Sequence, residues 1–87
     1  MATVFIPSLM RKLTGGQDRV QVPGATVRQV IDNLDQAYPG IKERLMENGR
    51  LKPTFTIAID GDASRLGVLE KVGENSEVHF LSAIAGG

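Results

Sequence analysis

One helical stripe constrains this chain more than any other feature of its sequence. Val27, Val30, Ile31, Leu34 and Tyr38 recur at the three- and four-residue spacing that lines one face of an α-helix. Thr26 with Gln29 three residues later matches a capping box at the start, and Pro39-Gly40 stops the pattern. On both sides of the helix the apolar residues switch to strand spacing. A lone amphipathic helix cannot bury its own stripe, so it must lie across a sheet built from those flanking segments.

The strand segments are short. Thr3-Val4-Phe5-Ile6 is rich in strand formers, and Arg19-Val20-Gln21-Val22 resumes the alternation after a loop containing Thr14-Gly15-Gly16. These two read as a hairpin, with Pro23-Gly24 ending the second strand. Ile41, Leu45 and Met46 suggest a short helical turn closed by Asn48-Gly49. Phe55, Ile57 and Ile59 alternate with Thr54, Thr56 and Ala58 up to an Asp60-Gly61 turn. Leu66, Val68 and Leu69 fit either a short strand or a turn. Gly73-Glu74-Asn75-Ser76 is a further turn, and Val78 and Phe80 alternate with Glu77 and His79 in a last strand. Strand, strand, helix, strand, strand, with one main helix across a mixed sheet, is the plan of an α+β domain of the β-grasp type.

At 87 residues the chain feeds one hydrophobic core, and it contains no cysteine. Disulfides, thiolate metal sites and cysteine nucleophiles are thereby excluded, and the composition leads us to expect a cytoplasmic protein. The start does not read as a signal peptide, and no stretch approaches the ~20 apolar residues of a spanning helix, so no membrane partner is expected. Ten Lys plus Arg balance ten Asp plus Glu without blocks of either sign. With Phe5, Tyr38, Phe55 and Phe80 the only aromatics of their class, neither phosphate neutralisation nor base stacking is provided for, which argues against nucleic acid. A protein partner is expected instead.

The chemistry points to the end of the chain. Residues 1–82 read as the domain, and 83–87, Ala83-Ile84-Ala85-Gly86-Gly87, as a flexible tail. Extended, those residues reach roughly 17 Å, enough to enter another protein's active site. Gly86 and Gly87 carry no Cβ, so they pass a narrow channel and leave a terminal carboxylate on Gly87 sterically open. A carboxylate needs activation before acyl chemistry, for example as an acyl adenylate, and the chain has no Walker-type phosphate loop. ATP would be used by a partner, with no cofactor bound here. The plain alternative is a frayed terminus, since chain ends are commonly small and disordered.

The whole-chain pattern resembles the ThiS/MoaD family of ubiquitin-like sulfur carriers. The matching stretches are Ile6-Pro7, Leu9-Met10-Arg11 and Thr14-Gly15-Gly16, then Thr26-Val27, Val30-Ile31 and Leu34, then Tyr38-Pro39-Gly40-Ile41 and Leu45. Ile57-Ala58-Ile59-Asp60-Gly61 and Glu77-Val78-His79-Phe80-Leu81 follow, leading into the Gly-Gly tail. The resemblance implies a β-grasp fold and a protein that is a co-substrate rather than an enzyme. It implies that an E1-like partner adenylates Gly87 and that the adenylate becomes a thiocarboxylate, with Gly86 as the flexible approach. A biosynthetic enzyme would then accept the sulfur. Members often have proline where this chain has Ser82, and a Gly-Asp turn where it has Glu74-Asn75. The Thr14-Gly15-Gly16-Gln17 and Tyr38 to Met46 stretches look most like carriers serving cysteine synthesis, although thiamin and molybdopterin carriers share the tail. The competing reading is a modifier whose Gly87 is joined to lysine amines, as in ubiquitin; a third is a β-grasp interaction module with an inert tail.

Other side chains carry less. His79 is the one histidine, expected to face outward, and without clustered ligands it makes a poor metal site. Leu81, in the same phase, is expected to help dock a partner, together with His79, Ile84 and Ala85. Asp60-Gly61-Asp62 lacks the remaining positions of a calcium loop and reads as a hairpin turn. Ser64, Ser76 and Ser82 are not expected to belong to a catalytic triad, although triads assemble in space and not in sequence.

Overall fold

The computed structural model describes residues 1–82. Strands β1 (Ala2–Phe5) and β2 (Arg19–Val22) form the expected antiparallel hairpin, Val4 opposite Val20. The connection is more ordered than a loop: Ser8–Thr14 is a 3₁₀ helix with Met10 and Thr14 buried. Thr14 donates its hydroxyl to the Gln17 carbonyl at 2.8 Å, and Gly15 and Gly16 turn the chain at φ 67° and 88°, a region glycine enters without steric cost.

Helix α1 (Val27–Ala37) begins at Thr26, whose Oγ1 accepts from the Gln29 N–H at 3.2 Å. The reciprocal arm of the capping box goes one residue further out, where Gln29 Oε1 accepts from the Ala25 N–H at 2.8 Å. Backbone bonds from Val27 N–H to Glu70 and from Val72 N–H to Ala25, both 2.9 Å, pin this end of the helix to the 70–72 segment. Val27, Val30, Ile31 and Leu34 are fully buried. They share one core with Val4, Ile6, Ile57, Val78 and Phe80, and Tyr38 and Phe55 lie half-buried at its margin.

Helix α2 (Ile41–Leu45) is the expected short turn, but Met46 leaves it. A small hairpin follows instead, β3 (Met46–Glu47) against β4 (Arg50–Leu51). Asn48 and Gly49 take φ 54° and 77°, the paired positive angles of a two-residue hairpin turn. Asn-Gly was therefore a strand-reversal signal and not a helix stop. Asp60 and Gly61 make the same kind of turn, at φ 52° and 87°, between β5 (Phe55–Ile59) and β6 (Asp62–Ala63). The ambiguous Leu66 to Leu69 segment resolves as a 3₁₀ turn over Gly67–Leu69.

Strand β7 (Glu77–Ser82) enters between β1 and β5, giving the order β2-β1-β7-β5-β6. It runs parallel to β1 and antiparallel to β5, so the sheet is mixed. The helix covers one face, and the β-grasp expectation is met. The strand ladder continues to Ser82, opposite Phe55, at the position where proline was noted as common in relatives.

Candidate functional site

Strand alternation gives the sheet a second face, turned away from α1. In β7 the inward residues Val78 and Phe80 are buried, so Glu77, His79 and Leu81 stand on the open side. Strand register then builds a row across the sheet: Arg19 is opposite Phe5, Phe5 opposite His79, His79 opposite Ala58, and Ala58 opposite Ala63.

The rings of Phe5 and His79 are stacked, centroids 4.0 Å apart and planes 10° from parallel. The Arg19 guanidinium lies 5.2 Å from the Phe5 ring centre, within cation–π range. On the other flank the alanines add only methyl groups, so the stack is the raised feature of this face. Glu77 Oε1 is 3.6 Å from His79 Nε2. One register step toward the strand end, Leu81 stands opposite Thr56 and is 51% exposed. Aromatic and guanidinium groups are enriched in protein interfaces, and an exposed leucine beside them adds apolar area to bury.

His79 does face outward, as expected, but it is half-buried against Phe5 and is not an ordinary surface residue. Phe5 and Arg19 went unrecognised as its neighbours. Alternation alone marks Phe5 as outward, since it shares the phase of Thr3; the parallel pairing that sets it against His79 is long-range. Of the expected docking residues, His79 and Leu81 lie on this face, while Ile84 and Ala85, with the acyl residues Gly86 and Gly87, lie outside the described residues.

Ser64, Ser76 and Asp60 have structural employment. Ser64 donates to Glu70 Oε2 at 2.6 Å, and Ser76 Oγ accepts from the Gly73 N–H at 2.8 Å. Asp60 Oδ1 accepts from the Glu77 N–H at 2.9 Å and so ties the β5-β6 turn to the start of β7. Among the described residues no group of three or more His, Cys, Asp or Glu could hold a metal ion, and no helix is long and apolar enough to cross a membrane.

A last strand that turns His79 and Leu81 outward, with a Gly-Gly segment following in sequence, is the arrangement anticipated for a β-grasp carrier. The ThiS family matches residues 4–87. The chain belongs to the ThiS family. It is 37% identical over 90 residues to the sulfur carrier protein CysO of Mycobacterium tuberculosis, covering 98% of this chain and 97% of that protein. It superposes on a chain of the Amycolatopsis orientalis BexX/CysO complex with a TM-score of 0.93 at 32% identity, over the whole of both chains. The small archaeal modifier protein 1 of Methanosarcina acetivorans shares the fold, at a TM-score of 0.81 and 23% identity, with 99% of this chain and 95% of that one covered.

Proposed function

We propose that this chain carries sulfur as a thiocarboxylate on Gly87 and delivers it to a biosynthetic enzyme, in the manner of carriers serving cysteine synthesis. As a ThiS family protein it is a sulfur carrier and not itself a catalyst. The observation that carries the reading is the family match running through Gly86-Gly87, joined to a CysO relative aligned over nearly the full chain.

A free carboxylate resists nucleophiles because it is anionic and would have to expel an oxide. An E1-like partner removes that obstacle: the Gly87 carboxylate attacks the α-phosphate of ATP, pyrophosphate leaves, and an acyl adenylate forms. A sulfur nucleophile then attacks the acyl carbon and AMP departs, leaving sulfur in place of one oxygen. The chain's own residues bind and position. Phe5, Arg19, His79 and Leu81 dock the partner, and Gly86 admits the terminus to a narrow channel. Holding reacting groups in line is worth several kcal/mol of a barrier, so tail length matters.

The modifier reading uses the same activated carbonyl and differs only in its nucleophile, a lysine amine. Likeness to an archaeal modifier at 23% identity bears on the fold alone and does not favour it. The test is intact-mass measurement after incubation with the activating enzyme, ATP and a sulfur donor. One oxygen exchanged for sulfur is expected, and a single residue added after Gly87 abolishes the exchange. Equal exchange in the extended protein refutes the assignment to Gly87; lysine adducts without thiocarboxylate establish the modifier.

A further inference from the structure

A second surface lies on the helix side of the sheet, away from the stack. The Gly67–Leu69 turn, the β4 strand and the start of α1 enclose a groove of about 430 Å³. Leu66 and Leu69 are 59% and 69% exposed at its edge, and Leu51 is half-buried. Three guanidiniums, Arg28, Arg50 and Arg65, line it, and no acidic residue does.

This local charge is out of keeping with the chain, whose ten basic and ten acidic residues cancel. No carboxylate of the described residues lies within 4.0 Å of any of the three guanidiniums, although Glu47 is the cross-strand partner of Arg50. Arg28 is already placed: its Nη2 donates to the Gly49 carbonyl at 3.1 Å, bridging helix to hairpin. Guanidiniums bind carboxylates in bidentate fashion and are lightly hydrated, so they suit an interface that also buries aliphatic groups.

We propose that this groove is a second docking site, for a partner segment that alternates acidic and aliphatic side chains. Its carboxylates meet Arg50 and Arg65 while its aliphatic groups cover Leu66 and Leu69. Because the groove lies on the helix side of the sheet and the stack on the other, such a partner is held while the open face and the tail are engaged elsewhere. The charge excess selects this occupant over a second copy of the chain, whose own groove would be repelled.

The test is amide chemical-shift mapping of the ¹⁵N-labelled full chain against a synthetic peptide of about twelve residues alternating Glu with Leu. Shifts are expected at Arg28, at residues 49–51 and at residues 65–69, with His79 and Leu81 unmoved. Affinity should fall at least about tenfold when salt rises from about 50 to about 500 mM, and by a similar factor in an Arg50→Glu/Arg65→Glu variant. Both side chains are exposed, and the unchanged spectrum of the core residues reports that the variant is folded. Leu69→Ser, which keeps every charge, should weaken binding with no loss of salt dependence. The proposal is overturned by an absence of shifts in the groove, or by equal shifts from a Lys/Leu peptide of the same pattern. Groove shifts on dilution of the free chain, or on removal of residues 83–87, also overturn it, since the occupant is then a second copy or the chain's own tail.

Discussion

Replacing Leu81 by Ala should weaken the complex with the activating enzyme while leaving the protein folded. Full burial of a leucine side chain is worth about 1.5–3 kcal/mol relative to exposure. About half of Leu81 remains exposed in the free chain, so docking can gain about half of that, roughly 0.8–1.5 kcal/mol. The corresponding rise in Kd is about 4- to 12-fold. The half already in contact with the fold is lost as well, at a comparable cost, which is small against a domain stability of about 5–15 kcal/mol. Calorimetric titration of the folded variant therefore reads binding alone, and a melting curve reads the stability separately.

The comparison that gives this experiment its force is Leu66→Ala. Leu66 is as exposed as Leu81 but stands on the helix side, so loss of a generic sticky leucine would cost the two variants alike. Docking through the open face predicts a weakened complex for Leu81→Ala and an unchanged one for Leu66→Ala. An unchanged Kd for Leu81→Ala, or the reverse order of the two variants, refutes the assignment of the face. Removing the stack by Phe5→Ala should move binding in the same direction as Leu81→Ala, since His79 then loses the ring that holds it.

Three further outcomes are expected. Leu34→Ala, at a fully buried position on the helix stripe, should lose about 2–5 kcal/mol in urea denaturation. Gly24→Ala should lose about 2–4 kcal/mol in the same assay, because φ is 152° and a Cβ there would lie 2.8 Å from both Val30 N and Val30 Cγ2, of which the backbone atom cannot move without displacing α1. Gly86→Val should slow sulfur acquisition without changing the melting curve, through steric exclusion from the partner's channel, and a normal rate would show that no tight channel is entered.

The parts of the fold legible in the sequence were those written in local pattern. The α1 stripe, its Thr26 cap and the Val78/Phe80 alternation each depend on neighbours within a few residues, and each was found where the pattern put it. The β3-β4 hairpin was missed because its strands have two residues each, too few to show alternation, and Asn48-Gly49 then reads as a stop. Of the docking face, the outward phase of His79 and Leu81 was legible. The Phe5-His79 stack was not, since it requires β7 to pair in parallel with β1 across more than seventy residues, and the Arg19 contact depends on the exact register of the β1-β2 hairpin. Gly86 and Gly87 are legible only as chemistry, from their lack of Cβ and their place after the last strand.

That same register decides which side chains β7 turns to the open face. A strand alternates its side chains with period two, so a slip of β7 by one residue would turn His79 and Leu81 into the core and expose Val78 and Phe80. Burial of Val78 and Phe80 against α1 therefore fixes which side chains the open face presents. The pairing of Ser82 with Phe55 carries this constraint to the last residue before Ala83. The Asp60 carboxylate bound to the Glu77 N–H holds the other end of the strand in step. Core packing thus sets the register of β7 as far as Ser82, after which residues 83–87 follow in sequence. On the docking proposed above, a core mutation that shifts β7 should lower the sulfur-transfer rate and the melting midpoint together, and an unchanged transfer rate in such a variant would refute the docking role of this face.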